Sequence, residues 1–270
     1  MSPPCFRGVT VGQTLSRPPH GRYGVGMTRP VAASRPRPAP VVELAPRLDG
    51  PTARLAVVLR ALVALLVVVA VSAQWSASVA TPVYRFVNFF GYFTIQSNLI
   101  MTLALVVGVV TVVSPAAASR WTDGLRGAAT AYIATTGVVY NLLLTDAGLG
   151  SSASLPWASD VMHKVLPLYA VLDWIVFRDR APIPWSRLPL FLAYPLAWTI
   201  VVLVRGQDFV PYPFLDVERL GAGVVAAYCV GIAVFIAGAS ALAIAATRFA
   251  FVRVERPADG PTARAQRSGS

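Results

Sequence analysis

The second apolar stretch of this 270-residue chain carries polar side chains at the spacing of one helix face. Thr94, Ser97 and Asn98 are three and four residues apart, so they share a face of any helix that contains them. Polar groups within a bilayer are costly unless they bond to one another or face a cavity. The cluster fits two interpretations: a hydrogen-bonded seam between packed helices, or one wall of a functional pocket.

The fourth apolar stretch carries the only histidine that lies within an apolar run. His163, Pro167, Ala170 and Trp174 recur at helical spacing. The imidazole has a pKa suited to general-base chemistry near neutral pH. Pro167 removes a backbone hydrogen bond and frees a carbonyl near His163. Asp173 lies ten residues beyond His163, about 15 Å along a helix, so it is predicted to pair with Arg178 or Arg180 instead.

Counting residues along each stretch places several polar groups at one depth. Thr94 falls about 9 Å and His163 about 6 Å from the start of their helices, at 1.5 Å per residue. The other candidates for this pocket are Ser97, Asn98, Tyr140, Asn141 and Arg205. Thr94 could act as a nucleophile once the imidazole takes its proton. The amides of Asn98 or Asn141 could then donate to an oxyanion, so the substrate would be an acyl ester reached from the membrane.

The amino-acid composition indicates which class of protein carries these polar groups. Hydrophobic residues make up 56% of the chain and charged residues only 13%, whereas a soluble domain is about a quarter charged. Runs this long must be helical, because lipid offers no partners to the backbone, and they do not alternate as barrel strands do. We therefore predict an all-α bundle of six transmembrane helices. The predicted spans are Leu55–Val79, Phe89–Val113, Leu125–Thr145, Ser159–Phe177, Arg187–Val204 and Gly223–Phe249.

Arginine placement predicts the orientation of the bundle. Eighteen arginines fall on the side of the N-terminus, and three (Arg85, Arg205 and Arg219) on the other. The positive-inside rule then places both termini in the cytoplasm, with the protein in the cell membrane. Residues 54–250 form the predicted transmembrane domain. The tails 1–53 and 251–270 are rich in Pro, Arg, Gly and Ser and are predicted to be disordered. The first span is expected to remain as an anchor.

Other classes of function are disfavoured by the same residues. A net charge of +11 would suggest nucleic acid in a soluble protein, but topology explains these arginines, so no nucleic-acid partner is expected. Cys5 and Cys229 do not make a disulfide framework. A single intramembrane histidine without paired carboxylates predicts no metal site, and no cofactor is expected. The expected partners are membrane lipids and a hydrophobic or lipid-ester ligand. The preference for Arg over Lys is typical of a GC-rich bacterial genome.

Four ordered motifs resemble a known family. Residues Val87–Leu99 (ValAsnPhePheGlyTyrPheThrIleGlnSerAsnLeu) resemble the signature of the bacterial six-span Pr6Pr membrane proteins. His163–Trp174, Tyr194–Trp198 and Arg205–Asp216 agree with that signature. The resemblance covers most of residues 55–250 and implies the six-span topology rather than an activity.

A looser similarity runs to the eukaryotic androgen-induced-gene and FAR-17a type proteins, which are multi-span hydrolases of lipid esters. Their intramembrane threonine and histidine match Thr94 and His163, so the similarity implies a catalytic role for both. Three functions stay open: a lipid-ester hydrolase, a transporter or small-molecule binding protein, and a structural or partner-binding protein. A transporter would show Pro- or Gly-broken helices in corresponding halves, as Pro167 and Pro195 do without a visible repeat. A hydrolase requires Thr94 and His163 within hydrogen-bond reach.

Overall fold

The computed structural model describes residues 50–145 and 154–249, and every regular element in these two ranges is helical. Seven helices carry the fold, and we number them in chain order. They are α1 (Pro51–Val79), α2 (Phe93–Val113), α3 (Arg120–Val139), α4 (Pro156–Asp160), α5 (Leu166–Val176), α6 (Leu188–Arg205) and α7 (Ala222–Ala246). The predicted all-α class is confirmed within the described residues. The tails 1–49 and 250–270, and with them Cys5, lie outside the described residues, as do residues 146–153.

Five helical segments are long and apolar enough to cross a bilayer. They are Pro51–Val79, Phe93–Val113, Arg120–Leu144, Trp185–Asp208 and Ala222–Ala246. Many large apolar side chains on them are exposed, for example Leu142 at 75% and Val204 at 80%. Apolar surface of this extent is typical of contact with lipid rather than water. The chain is therefore a membrane-embedded helical protein.

Two helical paths of the chain contain a π-helical turn, and one of them is not among the five membrane-length segments. Tyr140–Leu144 continues α3, and Val161–Val165 joins α4 to α5. Residues 156–176 thus form one helical path, divided by its π turn. A π turn inserts one residue into the helix and occurs frequently at functional sites. Here both π turns carry residues of the predicted pocket.

Helix α3 lies at the centre and packs against α2, α5 and α7. Its first turn is held by a capping box, in which the Ser119 hydroxyl accepts from the backbone N–H of Thr122 and the Thr122 hydroxyl accepts from that of Ser119. Small residues let its neighbours approach closely. A Cβ at Gly137 would lie 2.7 Å from Cβ of Pro167, so glycine is required where α3 crosses α5.

The segment between α6 and α7 folds back over the bundle. Gly206 and Gly221, at φ 53° and 80°, bracket it and adopt conformations that other residues rarely take. Between them Phe209, Tyr212, Phe214 and Leu215 are buried. This loop, residues 206–221, covers the end of the bundle that holds Thr94 and His163.

Candidate active site

The structure brings Thr94 and His163 into contact. Thr94 lies in the first turn of α2 and His163 in the π turn between α4 and α5. Their Oγ1 and Nε2 atoms are 3.3 Å apart, and His163 is 8% exposed. The geometry that a nucleophile and base require is therefore present, at a slightly long distance of the kind that tightens when a substrate binds.

A backbone carbonyl assigns the tautomer of this histidine. Nδ1 of His163 lies 2.9 Å from the carbonyl oxygen of Ser159. A carbonyl only accepts, so the hydrogen sits on Nδ1 and Nε2 presents its lone pair to Thr94. The Ser159 hydroxyl is also 3.1 Å from Nδ1. The carbonyl occupies the position that a carboxylate holds in a Ser-His-Asp triad.

Tyr140 holds the face of the imidazole. Its ring stacks on His163 with centroids 3.7 Å apart and planes inclined by 13°. Its hydroxyl lies 3.1 Å from the Ser159 hydroxyl. The imidazole is thus fixed by its edge and by its face. An electron-rich ring against it would also favour the imidazolium formed during proton transfer.

Tyr212 of the loop completes the contacts of Thr94. Its hydroxyl accepts the backbone N–H of Thr94 at 3.2 Å and lies 3.3 Å from Oγ1. Burial raises the pKa of Tyr212 to about 12, with the hydrogen bonds to Thr94 acting in the opposite direction. The phenol therefore remains a proton donor at neutral pH. Because the Thr94 proton is directed at Nε2, the phenol proton is free to point at Oγ1.

Asn98 and Asn141, predicted as oxyanion donors, are committed to other acceptors. The Asn98 amide donates to the carbonyls of Thr94 and Met162, at 2.8 and 3.4 Å. The Asn141 amide donates to the carbonyls of Gly137 and His163, at 2.8 and 3.1 Å. Each amide thus uses both hydrogens and braces the backbone of the π turn that carries the imidazole. The role of oxyanion donor stays a prediction for both residues, and it would require an amide to release one of these carbonyls.

The two remaining candidates lie further from the reacting groups. Ser97 is fully buried, and its hydroxyl lies 2.8 Å from that of Thr136, which joins α2 to α3. Arg205 donates to Oδ1 of Asn88 at 2.6 Å and lies over the ring of Phe209. The Ser97 hydroxyl is also within hydrogen-bond distance of the backbone carbonyl of Thr94, at 3.1 Å. None of these contacts reaches the Thr94 hydroxyl or the His163 ring, so Ser97 belongs to the helix seam and Arg205 to the α6 end of the loop.

A cavity of about 410 Å³ begins at Thr94 and runs between α3, α6 and α7. Tyr140 and Tyr212 also line it, so the candidate nucleophile, the stacked phenol and the loop phenol share one space. The volume lies within the usual range for small-molecule sites. A reactant in this cavity would meet the Thr94 hydroxyl directly.

A second polar cluster lies about three helical turns away, at the opposite end of α5. Arg60 of α1 donates to Asp173 at 2.8 Å and to Asp179 at 2.5 Å, and Arg126 of α3 donates to Asp179 at 3.0 Å. We call these four residues the buried charge cluster. The predicted pairing of Asp173 with Arg178 or Arg180 is wrong, because Arg60 and Arg126 project into the bundle at that level and reach the carboxylate first. Among the described residues no group of acidic, histidine and cysteine side chains could hold a metal ion.

Fold and site together define a membrane-embedded helical protein in which a half-buried threonine, paired with a buried histidine, borders an apolar cavity. Comparison with family models, with curated proteins and with solved structures finds no match for this chain.

Proposed function

We propose that this chain is a multi-span membrane hydrolase that cleaves lipid esters, with Thr94 as nucleophile and His163 as general base. The contact between Thr94 Oγ1 and His163 Nε2, with Nδ1 turned to the Ser159 carbonyl, carries this proposal. The cavity beside Thr94 supports an apolar substrate. The resemblance to the Pr6Pr proteins, and the looser one to the androgen-induced-gene hydrolases, belongs to the same proposal.

The proposed reaction has two halves. Thr94 Oγ attacks the ester carbonyl carbon while its proton moves to Nε2 of His163, and the carbonyl oxygen becomes an oxyanion. The intermediate collapses, the bond to the alcohol breaks, and the imidazolium returns the proton to the leaving alcohol. Water then attacks the acyl-threonine with His163 again as base, which releases the fatty acid and restores the Thr94 hydroxyl.

Tyr212 is the donor best placed to stabilise the oxyanion. Its hydroxyl is anchored by the Thr94 N–H and lies within hydrogen-bond distance of the attacking oxygen. Its proton can turn from Oγ1 to the carbonyl oxygen as the new bond forms. Donors aimed at developing charge in a water-poor site contribute strongly to catalysis.

We propose six spans with both termini in the cytoplasm and the protein in the cell membrane. The helical path 156–176 would be the fourth span in chain order, and together with the five membrane-length segments it makes six. This arrangement is supported by the arginine bias. The buried charge cluster supports the same arrangement. Through Arg60, Arg126 and Asp179 it brings the N-terminal halves of α1 and α3 to the C-terminal end of α5. The candidate active site then lies at the outer side.

Activity-based labelling tests the proposed roles. Purified full-length protein is treated with a fluorophosphonate probe, which forms a stable adduct with activated hydroxyls. Thr94→Ala and His163→Ala are expected to abolish labelling. Thr102→Ala is the matched control, because its hydroxyl bonds to the carbonyl of Asn98 on its own helix, two turns below Thr94. Absence of labelling in the wild type, or labelling that persists in Thr94→Ala, would overturn the proposal.

A further inference from the structure

The cavity at Thr94 is elongated along the bundle. Counted from the loop that connects α6 to α7, it follows α6 down from Thr199 to Leu192 and α7 down from Cys229 to Ile236. Each path covers eight residues, and the seven steps between its first and last residue span about 10 Å at the helical rise. Thr94 and Tyr212 lie at the loop end. Beyond the loop end the cavity therefore extends from the candidate nucleophile toward the middle of the bundle.

The far end of the cavity is closed. Ile236 is 6% exposed and Thr135 is 2% exposed, and both line this end of the cavity together with the half-buried Leu192. Below this level the core of the bundle continues with Phe191 and Tyr132, which are also buried. A molecule held at Thr94 therefore has a limited depth available to it.

The walls beyond the loop end are apolar, although three threonines line them. The hydroxyls of Thr135, Thr136 and Thr199 each donate to a carbonyl four residues earlier in their own helix, at 2.8, 3.1 and 2.9 Å. A threonine bonded in this way uses its hydrogen on its own backbone. The polar groups without such a bond gather at the end where Thr94 and Tyr212 lie.

The cavity also has an opening between α6 and α7. Leu196 and Val230 line it, yet they are 61% and 63% exposed. Both positions are on the apolar surface of membrane-length helices, so this opening faces lipid. A membrane-dissolved chain could enter sideways, without passing through water.

We propose that this cavity binds one straight acyl chain of limited length, which enters from the bilayer between α6 and α7 and lies with its carbonyl at Thr94. The placement of the acyl carbonyl at Thr94 rests on the proposed function. The extended hydrocarbon of decanoic acid is close in length to the depth of about 10 Å that the helical rise gives. That of stearic acid has nearly twice as many carbon–carbon bonds and would reach past the closed end. The cavity thereby selects medium-chain acyl groups over long ones.

Cys229 reports occupancy of this cavity, because its side chain is part of the wall. The experiment uses the full chain with Cys5→Ser, reconstituted in lipid nanodiscs, so that Cys229 is the only cysteine. The rate of its alkylation by N-ethylmaleimide is followed by mass spectrometry in the presence of saturated fatty acids from butyric to stearic. Decanoic acid is expected to slow alkylation about tenfold at ten times its Kd, since only the empty fraction reacts. Butyric and stearic acids at the same mole fraction are expected to slow it less than twofold.

A matched pair of variants tests the lateral opening. Leu196→Trp places a large ring in the opening and is expected to abolish the protection by decanoic acid. Leu190→Trp makes the same substitution on the same helix, at a residue that is 53% exposed and outside the cavity, and is expected to leave protection unchanged. Equal protection by all chain lengths, no protection by any, or equal effects of the two variants would overturn the inference.

The result separates this inference from the proposed function. Occupancy does not require the Thr94 hydroxyl, so the protection experiment is repeated with Thr94→Ala and should give the same chain-length profile. Protection without fluorophosphonate labelling would support the acyl-chain cavity and overturn the hydrolase. Labelling at Thr94 without protection of Cys229 would overturn the cavity proposal alone.

Discussion

Replacing Arg60 by methionine tests how much the buried charge cluster contributes to stability. Arg60 is fully buried in α1 and donates to Asp173, to Asp179 and to the carbonyl of Gly108. Methionine keeps the stem in place but leaves Asp173 with Arg126 at 3.9 Å as its remaining charged partner. Removing one partner of a buried ion pair costs about 3–5 kcal/mol, because the other charge is left uncompensated.

Thermal unfolding of the purified full chain, followed by far-UV circular dichroism, measures this loss. For a domain of this size each kcal/mol corresponds to about 2–4 °C in Tm, so Arg60→Met should lower Tm by roughly 6–20 °C. Arg54→Met removes the same charge from the same helix at an exposed position and should stay within about 0.5 kcal/mol of the wild type. Equal Tm values for the two variants would refute the reasoning.

A compensating variant sharpens the test. Arg60→Met combined with Asp173→Leu leaves Arg126 and Asp179 as a balanced pair, with donor and acceptor 3.0 Å apart. Replacing both charges by apolar groups removes the uncompensated carboxylate, so the double variant should regain at least half of the Tm lost by Arg60→Met. If the loss of Tm in the double variant equals the sum of the losses in the two single variants, charge balance is not what the buried charge cluster contributes to stability.

The same cluster predicts an acid dependence of stability. Burial acts to raise the pKa of Asp179, but the charges of Arg126 and Arg60 outweigh it, and the pKa lies below the ordinary value of 3.8. A carboxylate whose pKa is lowered by folding stabilises the folded state above its unfolded pKa, and that contribution is lost as the pH falls toward the folded one. The Asp179 contribution should therefore persist down to about pH 4 and disappear below it. An Asp179→Asn variant that keeps the wild-type acid transition would contradict this.

Two further changes probe the candidate active site. Tyr212→Phe keeps the ring but removes the hydroxyl bonded to the Thr94 N–H. We expect the rate of fluorophosphonate labelling to fall about a hundredfold, as when an oxyanion donor is lost. An unchanged rate would show that Tyr212 does not take part in the site. Gly137→Ala places a Cβ 2.7 Å from that of Pro167, so overpacking should lower the free energy of unfolding by about 1–3 kcal/mol and slow labelling. Gly223→Ala is the control, because a Cβ there meets nothing within 4 Å. It should leave both the Tm and the labelling rate unchanged.

The helical class and the similar depth of Thr94 and His163 could be predicted because both follow from one-dimensional counting. Apolar length identifies helices in lipid, and a fixed rise per residue converts position into depth. Two residues on different helices at the same depth then become candidates for contact. Counting gives no rotation about the helix axis, however, so the contact of Thr94 with His163 required the coordinates.

The partners that complete the site lay beyond such counting. Tyr212 reaches Thr94 because the loop folds back over the bundle, and counting along helices does not describe the path of a loop. The acceptor at Nδ1 is the backbone of Ser159, which no side-chain pattern encodes. Arg60 is different, because a lone arginine in an apolar span is itself a signal of a buried partner, and that signal was available in the sequence.

The polar groups of α2 separate into two kinds, and this distinction bears on the choice between packing and function. The hydroxyl of Ser97 is fully buried outside the cavity and meets that of Thr136 at 2.8 Å, as expected of a seam between helices. The hydroxyl of Thr94 has partners at 3.3 Å and borders an open cavity. Helix packing alone would not require a hydroxyl such as that of Thr94 to border a cavity large enough for a small molecule.

A transport function would need a polar route from this cavity to the buried charge cluster at the other end of the bundle. In the described ranges, the level between them is occupied by fully or almost fully buried apolar side chains, among them Leu105, Ile133 and Leu166. An ion or polar solute crossing this layer would lose its hydration without gaining partners. The cavity instead ends within the bundle and opens sideways to lipid at Leu196 and Val230. A site closed below and open to the bilayer matches a reaction whose substrate and products both partition into the membrane.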